Sequence, residues 1–293
     1  MLNSEAELVI PAKAILGEGP CWDSDKKVLY WVNILDKKVN IYDPRSHENR
    51  EIQLDQMVGT VVPRRAGGLV VALEKGFHFL DLETEELTPI DDPESHLPEN
   101  RFNDGKCDPF GRFWAGTMSL SEEMGKGSLY CLDTDLRVDK KRESLTISNG
   151  LAWSPDQKYM YLIDTPTKKV TRFDYNLKSG DIENPTEVIA FPEGVGAPDG
   201  MTIDEEGMLW IAHWGGAQVS RWNPETGEQV SSIPIPAFNV TSCAFGGENL
   251  DNLYVTTARK NTSEENIARF PEAGGVFKVR SGVKGLPAYT FNG

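Results

Sequence analysis

Cationic side chains are in short supply in this chain: 30 Lys and Arg stand against 45 Asp and Glu, a net charge of −15 over 293 residues. The acids are scattered and form no tail. Nucleic acid and anionic membranes are held through basic patches, so neither is an expected partner. No stretch approaches the ~18 consecutive apolar residues of a membrane span, and Met1 to Leu16 carries no basic segment leading into an apolar one. A cytoplasmic location is therefore the expectation. The few cysteines, Cys21, Cys107, Cys131 and Cys243, follow neither a zinc spacing nor that of a small disulfide framework. Histidine is rarer still in its uses: His47, His78, His96 and His213 pair with no Ser or Cys nucleophile. A Gly-x-Ser-x-Gly elbow is missing, which argues against a serine hydrolase. Gly17-Glu18-Gly19 does not continue as a dinucleotide fingerprint. Sustained helical periodicity is also lacking.

What the chain does have is repetition. Gly19-Pro20-Cys21-Trp22-Asp23, Val61-Val62-Pro63, Lys106-Cys107-Asp108, Leu151-Ala152-Trp153-Ser154, Met201-Thr202-Ile203-Asp204 and Cys243-Ala244-Phe245 each open a unit with further short runs rich in Val, Ile, Tyr, Phe and Trp. Gly, Pro, Asn and Asp bound those runs, as suits half-buried strands joined by tight turns. A recurrence of roughly 40 to 50 residues with several strands per unit is the period of propeller blades. The expected fold is all-β: a six-bladed β-propeller in a single domain spanning 1–293. The segment from Glu7 to Ile15 is expected to pair into the last blade and close the ring, which would let the protein be a monomer or a weak homo-oligomer. Asp91 to Glu99, Ser119 to Lys126, Pro192 to Pro198 and Lys260 to Gly274 read as longer loops on one rim, covering a mouth.

Aligning the units on their first strand places Glu18, Asn103, Asn149 and Asp199 in one register, each five residues before Asp23, Asp108, Ser154 or Asp204. If first strands line the channel, these side chains converge at its lip. The slots near Thr60 and Thr241 hold smaller residues and are expected to leave an opening. Taken singly, Asp104-Gly105, Asn149-Gly150 and Asp199-Gly200 are also ordinary turn formers. Glu18 is a poor turn residue, however, and the shared register points to a metal site. Two carboxylates and two amides offer only oxygen donors, which favours a hard divalent cation, calcium first, with magnesium, manganese and zinc as alternatives. His213 and Trp214 are weaker candidates for the pocket border.

Gly17-Glu18-Gly19-Pro20, Arg101-Phe102-Asn103-Asp104-Gly105-Lys106, Gly116-Thr117-Met118, Ser148-Asn149-Gly150-Leu151-Ala152-Trp153-Ser154 and Pro198-Asp199-Gly200-Met201 occur in that order. Together they resemble the senescence marker protein 30 (regucalcin) and gluconolactonase family, from about Glu7 to the C-terminus. The resemblance implies hydrolysis of sugar lactones at one divalent metal held by Glu18, Asn149 and Asp199. It also implies that Asp199 is the general base, and that Arg101 and Asn103 face the substrate. Alternatives on the same framework are a metal-dependent esterase or organophosphate hydrolase, and a calcium-binding regulatory protein with a structural ion. One departure stands out. The family carries acidic residues directly after Gly-Thr-Met, one of which reaches the substrate, whereas here Ser119-Leu120-Ser121 intervenes before Glu122 and Glu123.

Overall fold

A computed structural model describes residues 5–293. The chain forms six four-stranded antiparallel sheets arranged as a β-propeller. Five of the sheets use consecutive strands and occupy residues 17–53, 58–91, 100–145, 148–190 and 197–234. The sixth takes its three inner strands from 239–280 and its outermost strand, Glu7–Ile10, from the other end of the chain. That strand runs antiparallel to Val276–Arg280, with Leu8 opposite Phe277 and Ile10 opposite Val276.

Polarity rises from the axis outward. First strands such as Gly17–Asp23, Val58–Pro63 and Ser148–Trp153 are buried at every residue, because they are covered on both sides by neighbouring blades as well as paired within their own sheet. They meet one another in ring order. Outermost strands such as Glu48–Gln53 and Glu228–Pro234 read as charged and polar and lie largely exposed. Between blades the core is aromatic: Trp114 lies 5.9 Å from Trp153, and Phe77 lies 4.6 Å from Phe102. Edge-to-face and tilted pairs of this kind add specific geometry to a large apolar burial.

In four blades the residue five places after the register position holds the first hairpin. Asp108 Oδ1 accepts from the Phe110 and Arg112 amides, and Asp204 Oδ1 from those of Glu206 and Met208. Their second oxygens accept from the indoles of Trp114 and Trp210, each at 2.9 Å. Sequence periodicity misses two small helical pieces. A 3-10 turn occupies Thr165–Thr167. A one-and-a-half-turn α-helix, Glu264–Arg269, forms inside the expected loop from Lys260 to Gly274, capped by Ser263 and with acids in its first turn and Arg269 in its last. The chain then crosses the end of the channel remote from the register residues. Gly285 bridges to Asp204, Phe291 N donates to Pro63 O, and Asn292 N donates to Gly111 O. Phe291 is fully buried there. Among the described residues, no helix is long and apolar enough to cross a membrane.

Candidate metal and substrate pocket

Every first strand slips out of register with its neighbour at the same height. The break falls between Glu18 and Cys21, Val58 and Thr60, Phe102 and Gly105, Ser148 and Leu151, Pro198 and Met201, and Val240 and Ser242. A bulge interrupts strict alternation and re-aims a side chain, and here it does so at Glu18, Asn103, Asn149 and Asp199. The glycines that follow are not turn residues. Gly105, Gly150 and Gly200 lie inside strands and outside the left-handed region. A Cβ on Gly150 would stand 2.6 Å from Met201 Cβ and 2.8 Å from Asp199 O, and one on Gly105 would stand 2.8 Å from Thr60 Cγ2, each on the neighbouring first strand. They are glycine because adjacent first strands approach too closely for a side chain, which replaces the hairpin-turn alternative.

The cavity at this end of the channel measures about 220 Å³, and Glu18, Arg101, Asn103, Asn149 and Asp199 all line it. All five are also buried. Arg101 Nη1 donates to Asn103 Oδ1 at 2.9 Å, and Asn103 Nδ2 donates to Ser148 O at 2.9 Å and to Asn149 Oδ1 at 3.3 Å. Glu18 Oε2 accepts from Gly19 N at 2.9 Å. Arg101 does not pair with Glu99, which is exposed. A second, smaller cavity of about 60 Å³ lies at the closed end, among Cys21, Cys107, Trp153, Phe245 and the segment 286–289.

Carboxyl groups are concentrated and poorly solvated in and beside the larger cavity. Burial, reinforced by Asp104, pushes the Glu18 carboxyl up to about 8. Burial and then the Glu18 and Asp104 carboxyls raise Asp199 well above the usual carboxylate range. Burial lowers the Arg101 guanidinium to about 10 against the pull of Glu18. Two buried carboxylates disfavouring each other's charge, with an amide oxygen beside them, fit a divalent cation: it would remove the repulsion and find only hard oxygen donors. Among the described residues, no three His, Cys, Asp or Glu side chains form a metal-sized group; the set Glu18, Asn149 and Asp199 includes only two such residues, its third donor being an amide.

Other expectations fare differently. Thr60 and Thr241 leave no opening: both are buried, and their hydroxyls donate to Gly105 O and Gly17 O, tying adjacent first strands together. His213 is fully buried between Val195 O and the Ser220 hydroxyl, away from the cavity, and burial lowers its pKa. Trp214 does border the cavity. The displaced acid Glu122 also arrives there, because the Ser119–Glu122 turn, with Glu122 at φ 57°, takes up the extra residues. Its carboxylate meets Lys260 Nζ at 3.3 Å across the mouth. Thr165, Lys260 and Asn261 are pocket residues that the repeated phrase does not name: Lys260 and Asn261 open the segment expected to cover the mouth, without a role assigned to either, and Thr165 directly follows the second strand of an otherwise recognised unit.

A closed ring of six blades, with one mouth carrying buried acids, amides and a guanidinium, defines a β-propeller built around an axial polar pocket. Residues 16–259 match the SMP-30/Gluconolactonase/LRE-like region, and the chain belongs to that family. It is 40% identical over 289 residues to the Bacillus subtilis protein provisionally named sugar lactone lactonase YvrE, covering 99% of each chain. It is 38% identical over 296 residues to regucalcin of Danio rerio, covering both chains completely. A solved structure described as a calcium-binding protein, regucalcin, from Agrobacterium tumefaciens superposes with a TM-score of 0.94 at 28% identity, over 99% of this chain and 98% of that one.

Proposed function

We propose that this protein is a metal-dependent hydrolase that opens sugar lactones, an aldonolactone such as gluconolactone or a pentonolactone, with Glu18, Asn149 and Asp199 holding the metal. The observation that carries this reading is the convergence of two buried carboxylates and an amide on one cavity beside Arg101 and Asn103. YvrE, the relative with a lactonase name, supports the substrate class. The calcium-binding description of the Agrobacterium structure, together with the all-oxygen donor set, supports calcium ahead of zinc, manganese and magnesium.

A divalent cation bound there supplies Lewis-acid polarisation of the lactone carbonyl and stabilises developing oxyanion charge. The chain's own residues do the rest. Arg101 presents forked donors and Asn103 an amide, suited to the hydroxyl and ring oxygens of a polyol. Asp199, a carboxylate on the pocket wall, takes a proton from water as its oxygen adds to the carbonyl carbon. When the ring C–O bond breaks, that proton passes to the departing alkoxide, and a hydroxy acid leaves. Leu16, Met118, Ile147 and Trp214 give the pocket an apolar part, while Glu122, Lys260 and Asn261 join Arg101 and Asn103 in a set of polar groups that favours a polyhydroxylated substrate over the apolar esters and organophosphates of the alternative reading. A panel of lactones and aryl esters, assayed after chelation and after return of calcium, zinc, manganese or magnesium, tests this. Turnover of aldonolactones is expected to disappear with chelation and return with one of the ions; lactone turnover indifferent to chelation would overturn it.

A further inference from the structure

The corner after the second strand of blade four, Asp164 to Thr167, grips the approach to Asn149 from two sides. Asp164 Oδ1 accepts from Ile147 N at 2.9 Å and from Thr146 N at 3.1 Å, and Thr165 N donates to Ile147 O at 3.2 Å. The Thr165 hydroxyl then does something that backbone contacts cannot. It donates its one proton to Pro198 O at 2.8 Å, so its oxygen is left to accept, and Asn149 Nδ2 donates to it at 2.8 Å. An amide whose nitrogen is committed in this way has its oxygen turned to the opposite side. That side is where Asn103 Nδ2 meets Asn149 Oδ1 at 3.3 Å, leaving a second lone pair for the cavity. Thr165 also borders the cavity, and its acceptor Pro198 directly precedes Asp199.

We infer that Thr165 is a positioning residue: its hydroxyl selects the orientation of the Asn149 amide that presents oxygen to the cavity, and couples that amide to the strand carrying Asp199. This rests on the proposed metal role of Glu18, Asn149 and Asp199. The Asp199 carboxylate also accepts from the Asn149 side chain, so without the Thr165 hydroxyl the amide nitrogen keeps an acceptor only among the proposed ligands, and the orientation that offers NH₂ to a cation is no longer opposed. A threonine is suited to the task because branching at Cβ restricts χ1 and keeps the hydroxyl in place between its two partners.

The test is calorimetric titration of chelator-treated, full-length protein with Ca²⁺, Mn²⁺, Mg²⁺ and Zn²⁺, independent of any turnover assay. Partners that orient metal ligands typically govern affinity by about 10–100-fold, so Thr165→Val is expected to weaken binding about tenfold or more, and Thr165→Ser, which keeps the hydroxyl, to restore most of it. Thr165→Ala carries the same expectation as Thr165→Val should the latter fail to fold. Wild-type affinity in the folded hydroxyl-free variant, or a Thr165→Ser protein as weak as Thr165→Val, would overturn the inference while leaving the metal site standing. A wild-type protein that takes up none of the four ions would instead remove the metal reading itself, and the role of Thr165 with it.

Discussion

Asp199 carries two duties in the proposed chemistry, and a single atom separates them. Asp199→Asn keeps the shape and one oxygen donor but removes the base. Positioned acid–base groups typically contribute about 10²–10⁴-fold, so kcat for lactone opening is expected to fall by that range in steady-state assays while calorimetry still detects ion binding. Turnover retained in this variant would move the base elsewhere; turnover lost with the ion still bound would assign the loss to the carboxylate and not to loss of the ion. The neighbouring acids differ in kind. Asp108 and Asp204 are as buried as Asp199, yet every oxygen is taken by turn amides, indoles and the guanidinium of Arg112 or Arg221, so they serve the fold and leave nothing for a ligand.

The first strand is the element that turns a repeated sequence into a site. Its bulge aims one side chain per blade at the axis, and its glycine lets the next strand come close enough for those side chains to share a cavity. Gly150→Ala tests this directly, because the new methyl would press on Met201 Cβ and Asp199 O. Overpacking of this kind costs roughly 1–3 kcal/mol. A lower thermal midpoint is expected, together with weaker ion binding, since Asn149 and Asp199 sit on the two strands being forced apart; an unchanged affinity would show that their spacing is not set here. Glu18, Asn103, Asn149 and Asp199 were legible because the fold places them by a repeat, and a repeat is a pattern in one dimension. For Glu122 and Lys260 only the loops that carry them were legible, and Thr165 was not, because all three ride on connections whose lengths differ from blade to blade.

For the whole molecule, the ring is closed by its own N-terminal strand. Glu7–Ile10 covers the outer edge of Val276–Arg280, buries Ile10, and adds an ion pair between Glu7 and Lys278 at 2.8 Å. A variant lacking residues 1–10 would expose that edge, and unpaired strand edges invite association with other chains. Losing a buried Ile and a half-buried Leu typically costs about 2–5 kcal/mol, so scanning calorimetry should show a clearly lowered transition and light scattering should show aggregation on heating. A transition unchanged from the full chain would mean that this strand does not hold the ring together. The other end of the chain seals the channel opposite the pocket through Phe291 and its neighbours, which leaves the acidic cavity with a single mouth.

The one-dimensional pattern was enough for the strand-rich repeat, the blade number and the shared register of the axial acids and amides, because alternation, turn residues and period are local properties written into neighbouring positions. Tertiary structure alone decided that Asn-Gly and Asp-Gly pairs would be close strand contacts instead of turns, that Thr60 and Thr241 would be stitched to adjacent blades, and that Glu122 would reach the mouth despite its displacement. Each of those outcomes depends on what another blade presents from a distant part of the chain, and only the closed ring brings the two together.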